Sequence, residues 1–239
     1  MHEVPLDSYK CKVMLASGRG RARTMLTQSA IIEAAAEVAD SGGVSAVTMR
    51  SVAKVLGVEA MSLYYHVANK EALLDALADW VFEQIALPDL EHPWRIAMVA
   101  RARSARSVLS KHPWALGMLE SRPTPGDKLL QHHDRVLGCL LGGGMHPVLA
   151  AHAFSAIDSY IYGFVLTEIS LSTAPENQTD EGFSAEVAKQ AEKYPNMALI
   201  ALEAMNGHSF TFEDEFQYGL NLILDGFEER LENQQQESE

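Results

Sequence analysis

The chain has 239 residues, of which 47% are hydrophobic and 21% are charged, which predicts an ordinary globular protein with one or two domains. Its formal net charge of −13 argues against a protein that binds nucleic acid through its overall charge. The charge is unevenly distributed, because residues 1–70 hold 8 Lys and Arg against 6 Asp and Glu, whereas residues 71–239 hold 11 against 26. This asymmetry permits a compact N-terminal DNA-binding unit attached to an acidic body.

The first 25 residues lack hydrophobic periodicity, and we expect them to form a flexible basic arm. Their only cationic cluster lies in the run GRGRAR, with Arg19, Arg21 and Arg23. Such an arm can lie in a minor groove or along phosphates, and a solvated tail without a role is an equally open alternative. Since no charged region is followed by an apolar run of signal-peptide length, we expect neither export nor processing.

Two helices are predicted next, each between a hydroxyl cap and glycine. Thr27 opens the first helix, whose apolar face ends at Gly42-Gly43. Thr48 precedes the second, Met49–Leu56, and Gly57 supplies the left-handed backbone that ends it.

A third short helix is predicted at Glu59–Val67. Ala60, Leu63 and Val67 recur at spacings of three and four, as on the inner face of a helix. The remaining positions carry hydrogen-bonding groups on flat or apolar bodies, which suit phosphates and base edges in a major groove. These outward residues are Met61, Ser62, Tyr64, Tyr65 and His66. Together with the preceding helix, the segment predicts a helix-turn-helix.

The run LYYHVANKEALLDALA (Leu63–Ala78), preceded by TMRSVAKVLGVEAMS, resembles the tetracycline-repressor (TetR) family of transcriptional regulators. The similarity lies in an aliphatic-Tyr-aromatic-His-apolar pattern with a Lys four residues after the His, and it covers Thr27–Ile85. The runs HPWALGMLESRPTP and FEDEFQYGLNLILDGFEERL resemble segments of the tetracycline-repressor branch. The resemblance implies an all-helical fold, a homodimer and repression that a ligand releases.

Two cations are candidates for different DNA contacts. Lys70 lies in the first turn of the next predicted helix, Lys70–Ile85, where a cation is electrostatically unfavourable unless it meets a phosphate. Pairing with Asp75 or Glu71, or simple solvation, are the alternatives. Arg50 can contact a phosphate or the O6 and N7 edge of guanine, and a surface salt bridge with Glu59 or another acid is its alternative. The DNA-binding candidates are Thr48, Arg50, Ala60, Met61, Ser62, Tyr64, Tyr65, His66 and Lys70.

The segment Pro88–Pro93 interrupts the helical pattern and marks a predicted domain junction. We therefore expect an arm (1–25), a helix-turn-helix domain (26–87) and a helical ligand-binding and dimerisation domain (88–239). Without a period-two strand pattern, the predicted fold class is all-α. The helices predicted after the junction are Trp94–Lys111, Pro113–Leu119, Asp127–Leu141, Pro147–Leu171, Glu181–Tyr194, Pro195–Asn206 and Phe212–Gln234.

Two of these helices are unusually apolar. Pro147–Leu171 is long enough to raise the question of a membrane span, but His152, Asp158 and Glu168 interrupt it, so we expect a buried helix covered on two sides. The last helix carries a stripe of large apolar side chains. Together the two resemble the pair that forms the four-helix dimer interface in the family, and an intramolecular core is the alternative.

The composition offers little support for an enzyme or a metal site. Cys11 and Cys139 form neither a disulfide framework nor a metal-ligand spacing, and the nine His have no ligand spacing, so we expect no catalytic residue, metal or cofactor. The C-terminal domain instead carries aromatics, methionines and scattered polar groups, the usual lining of a mostly apolar pocket. The candidates, each of which could singly be core, are Trp94, Arg101, Trp114, Met118, His133, Phe154, Asp158 and Tyr162.

The hypothesis is a homodimeric, cytoplasmic, TetR-like repressor that binds a palindromic operator and is released by a small, largely apolar effector, with no membrane partner. The rival hypothesis is a helical enzyme or metal-binding protein whose N-terminal module is a vestige or a protein-docking surface. We expect an effector other than tetracycline, because the resemblance places the drug and magnesium ligands at positions that mostly have the wrong chemistry for a hard cation. These positions are Ala86, Arg101, Ala105, Met118 and Asp134.

Overall fold

A computed structural model describes residues 26–121, 126–172, 186–187, 189–205 and 211–237. Within these ranges the chain is helical and contains no strand, which confirms the predicted all-α fold class. The helices are α1 (Gln28–Gly42), α2 (Met49–Leu56), α3 (Ala60–Leu63), α4 (Lys70–Gln84), α5 (Trp94–Lys111), α6 (Trp114–Ser121), α7 (Asp127–Gly142), α8 (Pro147–Ser172), α9 (Pro195–Met205) and α10 (Phe212–Gln236). The predicted arm and Cys11 lie outside the described residues.

The N-terminal helices α1 to α3 pack with the first half of α4 around one core. Ile31 of α1, Val52 of α2 and Leu63 of α3 are fully buried there. The helix starts follow from the predicted caps: the Thr27 hydroxyl accepts from the Ala30 N–H at 3.2 Å, and the Thr48 hydroxyl accepts from the Ser51 N–H at 3.0 Å. At the end of α2, Gly57 adopts a φ of 68°, as the sequence predicts.

The predicted third helix, Glu59–Val67, is too long. Only Ala60–Leu63 is α-helical, and the N–H groups of His66 and Val67 both donate to the Leu63 carbonyl at 2.9 Å. The carboxylate of Glu59 makes no capping bond, so α3 begins without side-chain support. The chain then turns at residues 64–66 and returns Val67 to the core before Asn69 caps α4.

A second core lies between α5, α7, α8 and α10. Met98 of α5, Leu140 of α7 and Phe216 of α10 are fully buried in it. Helix α4 belongs to both cores, because Leu73 and Leu77 pack in the first, whereas Val81 and Phe82 pack in the second. Helix α4 therefore connects the two cores.

The helices from α5 onward begin and end within two residues of their predicted bounds. The exception is the predicted helix Glu181–Tyr194, of which residues 181–185 and 188 lie outside the described residues. Its last residues form a turn in which the Lys193 N–H donates to the Gln190 carbonyl at 2.9 Å.

The described residues cover helix α8 on one side only. Its buried face packs against α5, α7 and α10, whereas Val148, Leu166 and Leu171 are 59%, 53% and 58% exposed. Cover on the second side is therefore not supplied by the described residues and stays a prediction. In the described part of the chain, Pro147–Leu171 is the one segment long and apolar enough to cross a membrane, a test that core helices also pass. The buried Asp158 in its middle favours a core helix.

Candidate nucleic-acid interface and ligand cavity

The segment around α3 presents large side chains to solvent. Tyr65 is 90% exposed, Met61 72% and Tyr64 46%, whereas Leu63 and Val67 of the same segment are buried. His66 is exposed, and Ala60 and Ser62 are half-buried at the edge of the core. The predicted outward residues thus lie on one exposed surface, which we call the α3 surface (residues 60–66).

Arg50 and Lys70 stand at the starts of the helices on either side of α3. Arg50 is exposed and Lys70 half-buried, and the ion pairs between described residues include neither of them. The alternative pairing of Arg50 with Glu59 is therefore absent from these pairs. Thr48 is different, because its hydroxyl is engaged in the capping box with Ser51.

A cavity of about 420 Å³ lies between α4, α6, α7 and α8. Its size is typical of small-molecule sites, which range from about 300 to 1,000 Å³. The cavity is lined by Phe82, Leu116, Gly117, Leu129, His133, Phe154, Ser155, Asp158, Ser159, Tyr162 and Leu166.

Four of the eight predicted ligand-binding residues line this cavity: His133, Phe154, Asp158 and Tyr162. Arg101 lies behind the wall, where it pairs with Asp158. The other three predicted residues lie elsewhere. Trp94 packs under Gly143, Trp114 contacts the N-terminal helices, and Met118 is buried without lining the cavity.

The sequence interpretation missed seven of the lining residues. Two of them carried a usable signal, because Ser155 and Ser159 lie on the same face of α8 as Asp158 and Tyr162, at spacings of three and four residues. The others, on α4, α6, α7 and the end of α8, are ordinary apolar residues or glycine that only the tertiary fold brings together. They are Phe82, Leu116, Gly117, Leu129 and Leu166.

A buried polar group supports one wall of the cavity. The Arg101 guanidinium, 1% exposed, pairs through Nη1 with Asp158 Oδ1 and donates from Nε to His132 Nε2 at 3.1 Å. Burial, reinforced by the positive charge of Arg101, lowers the pKa of His132 from 6.5 to about 4. A neutral imidazole accepts the bond from Arg101, and Asp158 balances the charge of the guanidinium, so the wall carries no net charge.

Burial disfavours the charged forms of two more titratable groups at the cavity. The Tyr162 hydroxyl lies 3.4 Å from Asp158 Oδ2, and burial raises the pKa of this tyrosine. The pKa of His133 is lowered by burial, and its ring meets Phe154 edge-on at 4.9 Å and Phe82 at 6.4 Å. Apart from its pairing with Arg101, Asp158 thus faces aromatic side chains on the cavity side.

Helix α6 connects the cavity to the N-terminal helices. The Trp114 indole N–H donates to Asp40 Oδ1 at 2.6 Å, and His112 Nδ1 lies 2.8 Å from the same oxygen. Asp40 belongs to α1, whereas Leu116 and Gly117 of α6 line the cavity. We call the contact between Asp40, His112 and Trp114 the α1–α6 contact. Sequence reasoning missed it, since Asp40 and Trp114 are 74 positions apart.

A second depression of about 410 Å³ lies on the uncovered side of α8 and α10. Its surroundings include Leu222, which is 56% exposed, and Tyr218, which is 65% exposed. Its lining combines apolar side chains with the small residues Ala156 and Gly226, which permit close approach of another helix. The lining residues are Leu149, His152, Ala156, Leu222, Ile223, Gly226, Phe227 and Arg230.

The positions that the resemblance aligns with drug and magnesium ligands lie outside the cavity lining. Ala86 and Asp134 are exposed, and Arg101, Ala105 and Met118 are buried. Within the residues that the structure describes, no group of three or more His, Cys, Asp or Glu is arranged to hold a metal ion.

Comparison with known proteins gives consistent matches over both halves of the chain. The family model of the tetracyclin repressor-like C-terminal domain matches residues 87–231, and that of bacterial regulatory proteins of the tetR family matches residues 31–77. An HTH-type transcriptional regulator of Saccharopolyspora erythraea is 34% identical over 75% of this chain and 77% of its own length. The HTH-type transcriptional repressor DrrR1 of Streptomyces coeruleorubidus is 33% identical over 85% of this chain and 77% of its own length.

Solved structures share the fold. The Streptomyces coelicolor TetR family protein ActR, in complex with actinorhodin, superposes with a TM-score of 0.68 and 26% identity. The match covers 85% of this chain and 96% of ActR.

Proposed function

The chain belongs to the tetracycline-repressor family of transcriptional regulators, and on this premise we propose that it is a homodimeric repressor whose operator binding is reversed by a small molecule. The assignment rests most heavily on the α3 surface, where Tyr65 and Met61 project into solvent between the starts of α2 and α4. The core is built from other, buried side chains, so Tyr65 and Met61 are available to bind a partner. Family membership favours a regulator over the rival hypothesis of an enzyme or metal-binding protein.

The proposed roles divide between two domains. Residues 26–87 bind DNA, with Arg50 on a base edge and Lys70 on a phosphate, and residues 88–239 bind the effector and dimerise. Thr48 acts indirectly, by fixing the start of α2 and with it the position of Arg50. The basic arm at residues 1–25 lies outside the described part of the chain, and its proposed role is to add phosphate or minor-groove contacts.

The proposed effector site is the cavity between α4, α6, α7 and α8, supported by its size and by the complex of the similar ActR with actinorhodin. A ligand that prefers one arrangement of α6 shifts the protein toward it. Because α6 also holds α1 through Asp40, such a shift repositions the N-terminal helices. Release then needs only a difference in ligand affinity between the two conformations.

The proposed homodimer covers the uncovered face of α8 and α10. Two copies of this face bury its apolar side chains and place two α3 surfaces on one side of the dimer, about 34 to 36 Å apart, for successive major grooves. The operator is then a palindrome. We propose a cytoplasmic location, no catalytic activity and no metal cofactor, as suits a regulator of this family.

We infer further that the magnesium–tetracycline complex is not the effector. Hard cations bind carboxylate and carbonyl oxygens, whereas four of the five aligned positions present two alanines, a methionine and a buried Arg101, and the fifth, Asp134, supplies one exposed carboxylate. The inference is checked by adding tetracycline and magnesium to the protein–operator complex. Release at micromolar drug would contradict it.

Selection of binding sequences from a random duplex library tests the proposed function. The purified protein is expected to enrich a palindrome with half-sites 10 to 11 base pairs apart, about one helical turn. Arg50→Ala is expected to enrich a palindrome that is degenerate at one position of each half-site. A protein that enriches no sequence above input would contradict the assignment.

A further inference from the structure

We propose that the effector is an uncharged, flat aromatic molecule whose hydroxyl donates a hydrogen bond to Asp158. This inference rests on the proposed function, in which the cavity is the effector site. The carboxylate of Asp158 is 7% exposed and lines the cavity. One of its oxygens, Oδ1, is taken by Arg101. The other, Oδ2, has the Tyr162 hydroxyl at 3.4 Å, beyond the usual length of an O–H···O bond.

Oδ2 is therefore an underused acceptor in an apolar site. A buried acceptor without a good donor is costly, and a donor supplied by a ligand recovers that cost. A bond to a charged acceptor is also stronger than one between neutral groups. The ligand group with the required shape is a hydroxyl on a flat ring, because it reaches Oδ2 while its body remains among apolar side chains.

Charge balance excludes ionic ligands. The guanidinium of Arg101 is 1% exposed and already neutralises Asp158, so a cationic ligand competes with a partner that is held in place. An anionic ligand meets the lone pairs of Asp158 Oδ2. His133 offers it little compensation, because burial lowers the pKa of this ring and so disfavours its cationic form.

The shape of the ligand follows from the aromatic side chains. Phe154 and Phe82 both meet the His133 ring edge-on, at 4.9 and 6.4 Å between centroids, and all three side chains line the cavity. Flat rings pack favourably against such surfaces in edge-on and offset arrangements. Ser155, one turn before Asp158, and Ser159, next to it in the chain, add hydroxyls for further polar substituents on the ligand.

A matched series of pyrenes tests the proposal on the full chain. The probes are 1-hydroxypyrene, 1-methoxypyrene, 1-pyrenesulfonate and 1-pyrenemethylammonium, which share one aromatic body and differ in donor capacity and charge. Binding is followed by pyrene fluorescence. The hydroxyl compound is expected to bind about tenfold or more tightly than each of the others, since a hydrogen bond to a charged acceptor is lost in the ether and charge is uncompensated in the ions.

Two variants locate the effect. Asp158→Asn keeps the shape but removes the charge, and is expected to bring the ratio between hydroxyl and methoxy compounds to within about threefold. Asp134→Asn makes the same change at an exposed position of α7 outside the cavity lining, and is expected to retain the full ratio. If Asp158→Asn does not fold, the four probes on the unaltered protein decide the matter.

The proposal is overturned if the ether binds as tightly as the phenol, if either ion binds most tightly, or if no pyrene binds up to its solubility limit. These outcomes differ from a failure of the proposed function, which is measured by operator binding without any probe. A protein that binds a palindrome but no uncharged hydroxyarene keeps the repressor assignment and loses this effector class.

Discussion

At the scale of single residues, neither Arg50 nor Lys70 takes part in the ion pairs between described residues. Both cations are therefore available for DNA, and we expect two different contacts. A guanidinium can bond in a bidentate manner to a guanine edge, whereas an ammonium acts as a point charge toward phosphate. The identity of a base is recognised through the first kind of contact only. The two side chains should therefore contribute separately to specificity and to affinity.

Arg50→Ala is expected to relax preference at one base pair and to cost about 1 to 3 kcal/mol of operator affinity. Lys70→Ala is expected to weaken binding to all sequences alike and to reduce the slope of log K against log salt concentration by about one. Competition binding at several salt concentrations measures both effects. Unchanged base preference in Arg50→Ala would remove Arg50 from the base contact.

The second residue-scale prediction concerns pH. Since the pKa of His132 falls from 6.5 to about 4 on folding, the unfolded chain takes up a proton between these values and the folded chain does not. The contribution of His132 to the free energy of unfolding is therefore fully present above pH 6.5. As the pH falls to 4, the free energy of unfolding decreases by about 3 kcal/mol.

Urea unfolding between pH 7 and 4 measures this loss. The variant His132→Gln retains an acceptor for Arg101 without a titrating group, and is expected to lose less stability over the same range. A pH dependence identical to that of the unaltered protein would contradict a neutral, buried His132.

Sequence reasoning found the exposed residues of α3 more readily than the cavity residues. Tyr65 and Met61 are identified by local helical spacing, which needs no knowledge of distant contacts. The pairing of Arg101 with Asp158 joins positions 57 residues apart, and no local pattern encodes it. Arg101 was thus predicted as a ligand contact, although it lies behind the cavity wall.

At the scale of whole elements, helix bounds were predictable where a cap or a proline fixes them. The start of α5 after Pro93 and the end of α2 at Gly57 are examples. The extent of α3 was not predictable from spacing, because the periodicity of Leu63 and Val67 continues through a turn. A turn and a helix both return every third or fourth residue to the core.

The element-scale prediction concerns the α1–α6 contact. Asp40→Ala removes the acceptor of Trp114 and the partner of His112, and so removes the polar bonds of the α1–α6 contact. The variant is expected to bind 1-hydroxypyrene as the unaltered protein does, but to show a weaker effect of this probe on operator affinity, by about fivefold or more. Tryptophan fluorescence reports the change around Trp114.

The matched control is Glu37→Ala, which removes an exposed carboxylate one turn earlier on α1. It is expected to leave the coupling between probe and operator intact. Equal coupling in Asp40→Ala and Glu37→Ala would show that the α1–α6 contact does not transmit the effect.

At the scale of the whole molecule, α8 and α10 leave an apolar face that the described residues of the chain do not cover. Leu222→Asp places a charge on this face and is expected to shift the protein to a monomer in sedimentation at micromolar concentration. Leu130→Asp makes the same change on α7, at a leucine that is 50% exposed and outside this face, and is expected to remain dimeric. A monomeric unaltered protein would contradict the assembly.

The most direct test of the account is the dependence of operator affinity on the spacing between half-sites. Two α3 surfaces held by one dimer meet major grooves on the same side of the duplex only when the half-sites are about one helical turn apart. Insertion of five base pairs at the centre of the selected palindrome is expected to reduce affinity at least tenfold, and insertion of ten is expected to restore part of it. Equal affinity for all three spacings would contradict a dimer that binds a palindrome.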